Sequence, residues 1–422
     1  MLPPTPKDGS TNWHNDQMKG SSDMLGMSAT RSFGTRALIL DVIRSSPETT
    51  RSDIAEVTDL TGATVSTTVR ELIDDGLVEE VGTAEATIGK PRRILQLVRN
   101  ARYAVGVHLD DGATRFVLAN LAGDVVATIT DEGMGPRGPE ELIGRIATQT
   151  GQMIASSGVP RELVLGIGVC APGPIAAGTA MVLTPAHLRK WSDFPLAASL
   201  QNATGMPVVV DNDATACALG EHWTNSVDAQ GLATLYMGTG LGGAVIIGGV
   251  PYRGMSGNSV EVGHICVDVN GPQCWCGNVG CIEIMGGPRT VVGKARALGL
   301  VNGEGSIIEG FKRLARLAHN GDKQACKLFE DSARYIALAA HTLACVLDPD
   351  HIALTGPSFA VAGDLYVPAI TEILQTRYLA RTSHTIDILV SKHAEEAAGI
   401  GAAALVFQST LFFGRMVGAG RQ

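Results

Sequence analysis

The chain has 422 residues, of which 45% are hydrophobic and 18% are charged, and its net charge at neutral pH is −9. A chain of this length is too long for one ordinary domain, and the composition is that of a globular protein, not a disordered one. The negative charge excludes a uniformly basic surface, so any binding to nucleic acid has to come from a local basic patch.

The first 30 residues have no long apolar run and contain Pro3, Pro4, Gly9 and Gly20. This composition predicts a disordered leader over residues 1–30 and no signal peptide. No stretch of the sequence reaches the roughly 20 apolar residues that a membrane-spanning helix needs. We therefore expect a cytoplasmic protein, in which a reducing environment favours metal binding over disulfide formation at clustered cysteines.

Two helices are predicted next. Apolar residues at helical spacing predict the first over residues 35–45, and Pro47 then interrupts the pattern. The segment Thr50–Asp53 has the form of a capping box. It predicts a short second helix that turns Ile54 and Val57 inward.

A third helix and a hairpin complete this region. The helix follows the turn Asp59–Gly62 and ends before Gly76. Short strands are predicted over 77–81 and 94–98, on either side of a polar loop. The order helix, helix, turn, helix, hairpin is typical of a winged helix-turn-helix, which we place at residues 31–98. The apolar stripe of the third helix consists of Val65, Val69 and Leu72.

The third helix and the polar loop carry the candidate DNA contacts. Threonines on the face opposite the apolar stripe, with one arginine beside them, suit base edges and phosphates in a major groove. Thr61 is the predicted N-cap, and the basic loop 89–93 suits phosphates or a narrow minor groove. The alternative is a protein-docking or dimerisation module with a solvated loop. The candidate residues are Thr61, Thr64, Thr67, Thr68, Arg70, Lys90, Arg92 and Arg93.

After residue 100 the pattern changes to apolar strands that alternate with helical stretches, which predicts an α/β domain. The change places a domain boundary at residues 98–102. Glycines cluster between residues 166 and 287, which is typical of tight turns or of a backbone that approaches a ligand. Strands are predicted over 104–109, 164–169, 208–210 and 232–237.

One histidine and three cysteines have the spacing of a metal site. His264, Cys274, Cys276 and Cys281 form the pattern H-x9-C-x-C-x4-C. One imidazole and three thiolates are typical of a closed, tetrahedral structural zinc site. We predict one zinc ion per chain, with no open position for metal-ion catalysis. The alternative is a group of buried or redox-active thiols.

Polar residues follow one apolar strand and flank the cysteine segment. Loops at strand ends are where α/β folds build binding sites. If these residues converge, they form a ring of donors and acceptors that can satisfy several hydroxyls of a sugar at once, so that a sugar lacking one hydroxyl leaves a buried partner unpaired. The residues are Asn212, Asp213, Glu261, His264 and Glu283.

Several segments resemble the ROK family, whose name stands for repressors, open reading frames and kinases. The resemblance covers residues 31–408, and its most specific segments are those that begin at Glu261 and Cys274. It implies an actin-like (ribonuclease H-like) sugar-kinase fold of two lobes with the sugar between them. The winged helix resembles the regulators of this family, of the NagC, XylR and Mlc type. The matching segments are Ala171–Pro174, Asp211–Ala214, Leu219–Glu221, Gly238–Gly243, Glu261–His264 and Cys274–Glu283.

The resemblance also implies residue roles. The family residue that matches Asp213 is the base that takes a proton from the sugar hydroxyl. Those that match Asn212, Glu261, His264 and Glu283 hold sugar hydroxyls. The histidine also ligates zinc, so the zinc loop is expected to orient an imidazole that binds sugar.

The resemblance sets expected boundaries within the kinase-like domain of residues 102–408. The first lobe is expected over about 102–221, together with a C-terminal helix over about 396–410. The second is expected over about 222–395 and includes the zinc loop 264–283.

This chain departs from the kinases of the family, which carry Asp-x-Gly-Gly-Thr after their first strand to hold phosphates and magnesium. Aligned without gaps, His108 stands at the Asp position and Gly112 at the Thr position. Asp110 and Asp111 then stand where glycines should meet phosphate, and they would repel it. A shift of two residues recovers Asp110-x-Gly112-x-Thr114 but needs a compensating gap. We favour the ungapped alignment, which predicts a degenerate kinase without ATP–Mg.

Two further departures concern the sugar. His187, a predicted ligand-binding residue, replaces an Asn that is usual in the kinases, and Val260 replaces a small residue before Glu261. The effector is therefore expected to be a sugar or a sugar derivative whose identity stays open.

Together these observations predict a sugar-responsive transcriptional regulator of carbohydrate metabolism genes, acting as a repressor. A homodimer or tetramer is expected to bind an inverted repeat in double-stranded DNA. No catalytic residue is expected, although Asp213 stands at the position of the family base. Two alternatives remain: an active ATP-dependent hexose kinase with an attached winged helix, and a regulator controlled by a partner protein without a sugar ligand.

Overall fold

The computed structural model describes residues 34–46, 48–84, 92–134, 138–176, 180–181, 191–192, 194–224, 231–303 and 305–412. The predicted leader, Pro47, Lys90 and His187 lie outside the described residues. The chain divides between Leu97 and Val98 into two compact units. Within the described ranges, no helix has the length and apolar character to cross a bilayer.

The N-terminal unit is a winged helix-turn-helix, which confirms this part of the predicted fold class. In the described part of this unit, three helices precede a two-stranded antiparallel sheet, whose register runs from the pair Val78–Leu97 to the pair Ala84–Arg92. The elements are α1 (Thr35–Ser45), α2 (Arg51–Thr58), α3 (Gly62–Asp74), β1 (Val78–Ala84) and β2 (Arg92–Leu97).

Local capping explains where α2 begins. The backbone N–H and the hydroxyl of Thr50 donate to the Asp53 carboxylate at 2.9 and 2.8 Å, as the capping-box pattern predicted. Ile54 is buried, but the prediction for Val57 is wrong, because this side chain is 71% exposed. Thr58, one helical turn after Ile54, is buried instead, and its hydroxyl donates to the Ile54 carbonyl at 2.5 Å.

The described residues of the second unit form two five-stranded sheets, as the actin-like two-lobed fold requires. In the first sheet, β3 pairs antiparallel with β4 and parallel with β6, and the strand order is β5-β4-β3-β6-β9. We call this sheet and the helices packed on it the first lobe. Its elements are β3 (Tyr103–Leu109), β4 (Ala113–Asn120), β5 (Val125–Glu132), α4 (Pro139–Ser157), β6 (Val164–Ala171), β7 (Ile175–Ala176), β8 (Ala180–Met181), α5 (Leu196–Thr204), β9 (Val208–Asn212) and α6 (Asp213–Trp223).

The second sheet has the order β12-β11-β10-β13-β14 and forms the second lobe with its helices. Strand β10 pairs antiparallel with β11 and parallel with β13. Its elements are β10 (Gly231–Met237), β11 (Leu241–Ile247), β12 (Val250–Pro251), α7 (Ile282–Gly286), α8 (Pro288–Ala297), α9 (Ile307–His319), α10 (Lys323–Leu347), β13 (His351–Thr355), α11 (Phe359–Arg377) and β14 (Asp387–Val390).

The last helix, α12 (Ala397–Phe407), returns to the first lobe and is buried along its whole length. Glycines allow its backbone to touch the strands. A Cβ at Gly106 would lie 1.8 Å from the Gly399 carbonyl oxygen, and one at Gly168 would lie 1.7 Å from that of Ala402. The first lobe is therefore completed by residues from the far end of the chain.

Candidate functional site

A cavity of about 470 Å³ lies between the two sheets of the second unit. A volume of this size is typical of small-molecule sites. All five residues of the predicted polar ring line it, and aromatic, cationic and glycine positions complete the wall. The polar-ring residues are Asn212, Asp213, Glu261, His264 and Glu283; the other lining residues include Tyr236, Thr239, Gly240, Gly242, Gly243, Trp275 and Arg289.

The end of β9 fixes the first-lobe side of the cavity. Asn212 is the N-cap of α6, and its side-chain oxygen accepts hydrogen bonds from the N–H groups of Ala214 and Thr215 at 2.8 and 3.3 Å. With the oxygen held by the cap, the side-chain NH₂ is the group that remains to donate to a ligand. Asn212 is thus both a structural cap and a directed donor.

Asp213 lines the cavity, and its side chain is half-buried. The pKa of its carboxyl is raised to about 8, mainly because the surrounding protein desolvates it and in part because the Asp110 carboxylate is nearby. The Ala214 N–H donates to this carboxyl at 2.9 Å and opposes the shift. A carboxyl in this position titrates near neutral pH, and it can donate or accept a proton there.

Glu261 projects from a strained turn. Val260 has φ +62°, a left-handed conformation that is a marked outlier for a β-branched residue. The Val262 N–H donates to the Val260 carbonyl at 2.7 Å, and Glu261, with φ −72° and ψ 58°, is the centre of an inverse γ-turn. Desolvation raises the pKa of the Glu261 carboxyl, Glu283 adds to this, and His264 opposes it. The strain lies next to a candidate ligand contact.

Glu283 joins two loops that form the cavity wall. One carboxylate oxygen accepts the Leu241 N–H at 2.9 Å, and the other accepts the Trp275 indole N–H at 2.8 Å. A Cβ at Gly240 would lie 2.6 Å from this carboxylate, so the close approach requires glycine at this position. Glu283 is therefore held in one orientation from both sides.

The four predicted metal ligands come together beside this wall. The donor atoms of His264, Cys274, Cys276 and Cys281 all lie within 4.8 Å of one another. The Cys276 and Cys281 sulfurs are 3.7 Å apart, and the Cys274 sulfur is 3.7 Å from His264 Nδ1. Tetrahedral zinc with Zn–S bonds of about 2.3 Å separates two sulfurs by about 3.7 Å. The donor set and its spacing fit such an ion, and His264 Nε2 is the ring nitrogen left for a ligand.

The end of β3 and the turn that follows it carry a buried histidine and two acidic residues. His108 is buried, and its Nε2 lies 3.2 Å from the Tyr236 hydroxyl of the second lobe. Burial, aided by Arg115, lowers the pKa of His108 to about 3, so the ring is neutral. Burial raises the pKa of Asp110, and Asp111 Oδ2 is 3.7 Å from Arg289.

The candidate DNA face of α3 needs one correction. Thr67 and Arg70 are exposed, Thr64 is half-buried, and the Thr61 hydroxyl caps the helix by accepting the Thr64 N–H at 3.2 Å. The prediction that Thr68 shares this face is wrong, because Thr68 is buried beside the apolar stripe. A step of three residues turns a helix by about 300°, which brings Thr68 within about 60° of Val65.

The described part of the basic wing is exposed and partly paired. Arg92 lies 4.0 Å from Asp53, and Arg93 lies 3.8 Å from Glu80, which also pairs with Arg51 at 2.8 Å. More than half of each wing arginine side chain is exposed. Exposed pairs at these distances contribute little, so both guanidinium groups can exchange a carboxylate for a phosphate.

Sequence reasoning missed three cavity residues: Tyr236, Trp275 and Arg289. Tyr236 ends an apolar strand, where an aromatic residue is most simply interpreted as core. Trp275 could have been predicted from the sequence, because a large aromatic side chain between two metal ligands in a short loop is not expected to be buried in a hydrophobic core.

The comparisons with known proteins divide the chain in the same way as the structure. The ROK family model matches residues 106–409, and the MarR family model matches residues 26–86. A putative xylose repressor from Caldicellulosiruptor sp. (strain Rt8B.4) is 28% identical over 393 residues, which are 90% of this chain and 96% of that protein.

Two solved structures extend these comparisons. The crystal structure of a ROK family transcriptional regulator, described as a homolog of the E. coli MLC protein, has a TM-score of 0.69 and 23% identity and covers 91% of this chain and 96% of its own. A ROK family glucokinase from Streptomyces griseus, in complex with glucose and AMPPNP, has a TM-score of 0.63 and 27% identity and covers 72% of this chain and 99% of its own.

Proposed function

This chain belongs to the ROK family, and from that premise we propose that it is a sugar-responsive transcriptional repressor of carbohydrate metabolism genes. One observation carries the proposal: a winged helix-turn-helix precedes a cavity in which five sugar-type donors and acceptors converge. The coverage of the relatives supports it, because the repressor matches 90% of the chain and the glucokinase 72%.

The cavity binds a sugar through complementary roles. The Asn212 amide donates, the Glu261 and Glu283 carboxylates accept, and the His264 imidazole, whose Nδ1 faces the metal site, donates from Nε2. These groups are held by a helix cap, a γ-turn, two loop hydrogen bonds and the candidate metal site, respectively. Because their orientation is fixed before binding, a sugar with one hydroxyl misplaced leaves a partner unpaired, which costs about 1–3 kcal/mol.

His264, Cys274, Cys276 and Cys281 would hold one structural zinc ion. When bound, the ion supplies a fixed charge that keeps the imidazole oriented. The sharp return of the loop supports this role, since Gly280 has φ +57° and a Cβ there would lie 1.8 Å from the Asp268 carbonyl oxygen.

The phosphate side is proposed to be degenerate. The Gly112 N–H of the β3–β4 turn donates to the Asp110 side chain at 3.3 Å, so it is already occupied, and the acidic side chains of Asp110 and Asp111 oppose the approach of a phosphate. The Asp111–Arg289 pair joins the two lobes at the cavity.

A second candidate function, sugar kinase activity, is favoured by one observation. The raised pKa of Asp213 is that of a base poised near neutral pH. Turnover of ATP–Mg with a sugar panel distinguishes the two functions, because the repressor is expected to form no sugar phosphate.

Sugar binding is proposed to control DNA binding by changing how the two lobes close. Contacts that join the lobes include those of Glu221 with Thr355, at 3.1 Å, and with Ser391. A sugar held by groups from both lobes favours the closed arrangement, and it acts as a switch only if that arrangement differs in affinity for DNA. Each subunit of a homo-oligomer would bind one half of an inverted repeat.

The test is selection of bound duplexes from a random DNA library, followed by titration with free sugars. We expect an inverted repeat to be enriched and at least one sugar to change its affinity about tenfold or more. The same sugar should raise the melting temperature of the free protein, and ATP–Mg should not.

Glu261→Ala should abolish the response to sugar, while the exposed Glu330→Ala on α10 should keep it. Absence of an enriched sequence would contradict the DNA-binding role. Formation of a sugar phosphate would contradict the degenerate kinase.

A further inference from the structure

The exposed indole of Trp275 is the feature of the cavity that the proposed function does not use. Trp275 lies between two candidate metal ligands, lines the cavity and is 42% exposed. Trp191 and Trp223 are each 1% exposed. Leaving such a large apolar surface in contact with water is unfavourable, so an exposed ring in the wall of the cavity indicates a surface that contacts a ligand.

Two contacts hold this ring in place. Its N–H donates to Glu283 Oε1 at 2.8 Å. It also packs against the His264 ring in a T-shaped arrangement, with centroids 5.0 Å apart and planes at 86°. Both partners belong to the polar ring that would hold sugar hydroxyls. Trp275 therefore touches the metal site and the sugar site at once.

The contact with Glu283 has a directional consequence. A carboxylate offers about four acceptor positions. The Trp275 and Leu241 N–H groups each take one of them, on different oxygens. The remaining acceptor position on Oε1 is therefore fixed in space beside the indole N–H. A ligand that packs on the ring is thus within reach of an oriented acceptor.

We propose that Trp275 determines specificity for a cyclic sugar. Its ring packs against the face of a pyranose that carries C–H groups, and its N–H positions Glu283 to accept a hydroxyl at the edge of that face. A pyranose is rigid and has a continuous apolar face. An open-chain alditol has the same hydroxyl-bearing carbons without that face, and it loses more conformational entropy on binding. This role rests on the proposed function of the cavity.

The test compares D-glucose and D-xylose with their alditols, D-glucitol and xylitol. All proteins carry Trp13→Phe, which removes the indole outside the described residues. Of the three tryptophans that remain, Trp275 is exposed, whereas Trp191 and Trp223 are buried. We expect each pyranose that binds to shift the Trp275 emission to shorter wavelength and to protect it from acrylamide, while the alditols do neither. Calorimetry should give a pyranose Kd at least about tenfold below that of its alditol.

Variants separate the ring from the N–H. Trp275→Ala should weaken pyranose binding about tenfold and remove the preference over alditols, and Trp275→Phe should restore much of that preference. Val269→Ala, exposed on the same loop, should change neither. Metal content is measured for every variant, and Trp275→Leu replaces Trp275→Ala if the latter loses its metal.

The outcomes are distinguishable. The role of Trp275 would be overturned if Trp275→Ala bound a pyranose with unchanged affinity. It would also be overturned if the protein that retains Trp275 bound pyranose and alditol with equal affinity. Neither outcome would contradict the proposed sugar-binding function of the cavity. Absence of binding to every sugar, or binding unaffected by Glu261→Ala, would overturn the proposed cavity function and this role with it.

Discussion

The two units place their candidate binding groups in opposite surroundings. In the N-terminal unit, Thr67 and Arg70 are exposed on the surface of α3. In the second unit, Asn212 caps a helix, and Asp213 lies deep in a cavity where its pKa is raised to about 8. The groups of the first unit can contact a partner without supporting the fold. Those of the second belong to the caps, turns and loops that form it.

In the N-terminal unit, a residue can therefore affect binding without affecting stability. In the second unit, the same residues affect both. Substitutions on the outer face of α3 should change DNA binding alone. Substitutions in the cavity should change both sugar binding and the free energy of unfolding, because preorganised sites commonly cost stability. The following experiments test the difference, beginning with the largest expected effect.

Cys276→Ser should have the largest effect. We expect loss of the bound metal and a fall in the free energy of unfolding on the order of 4 kcal/mol, since a structural metal contributes its binding energy to folding. Metal analysis and thermal unfolding measure both. The matched control is Cys345→Ser, an exposed thiol outside the cluster. A Cys276→Ser protein that retains its metal would refute the ligand set.

Asp213→Asn should raise stability in a pH-dependent way. The carboxyl ionises near pH 3.8 in the unfolded chain and near pH 8 in the folded one. Its contribution to stability is therefore full below about pH 4 and is lost as the pH rises through 8. Asparagine carries no such proton, so the advantage of the variant should grow from pH 5 to pH 8 and then level off.

Melting temperatures of both proteins from pH 5 to pH 9 check this expectation. Asp124→Asn is the control, because the Arg99 guanidinium lowers the pKa of Asp124, and its replacement should cost stability at neutral pH. A gain for Asp213→Asn that does not vary with pH would contradict the burial of an ionisable group.

Thr67→Val and Thr68→Val form a matched pair on one helix. Thr67→Val should weaken operator binding by about 1–3 kcal/mol if its hydroxyl contacts a base, and leave stability within about 0.5 kcal/mol. Thr68→Val, at a buried position, should change stability by about 1 kcal/mol and leave operator affinity unchanged. Fluorescence anisotropy with the selected duplex and thermal unfolding measure the pair. Equal effects of the two substitutions on DNA binding would contradict the assignment of Thr67 to the DNA-binding face and of Thr68 to the helix core.

Val260→Gly should have the smallest effect on stability, and it should weaken sugar binding. Glycine removes the cost of the left-handed conformation, about 1–2 kcal/mol, and adds a backbone entropy cost of about 0.5–1 kcal/mol. It also removes the half-buried Val260 side chain, whose packing against the core of the second lobe contributes about 1 kcal/mol. These contributions nearly cancel, so the melting temperature should change little, while sugar binding weakens because Glu261 is less firmly positioned. Val269→Gly, at an exposed residue with ordinary φ, should leave sugar binding unchanged. Calorimetry and thermal unfolding distinguish them.

The sequence predicted most successfully what depends on neighbours in the chain. The Thr50–Asp53 capping box follows from local spacing, and the convergence of His264 with three cysteines follows from a short loop. Val57 was placed wrongly because a helix of two turns has too few residues to define its inner face.

The contact of His108 with Tyr236 joins residues 128 positions apart, and no local pattern indicates it. The indole that orients Glu283 was missed for a related reason. Its role depends on where two loops meet, which only the folded chain defines.

Helix α12 has a consequence for the order in which the protein is made. Its backbone fits against Gly106 and Gly168, so the first lobe stays incomplete until residues almost three hundred positions after β3 have left the ribosome. Residues 34–97 form their elements from close neighbours and can fold early in synthesis. A frameshift or early stop ahead of α12 would therefore leave a folded DNA reader attached to an effector unit that cannot close. Such alleles are expected to bind operators and ignore inducer.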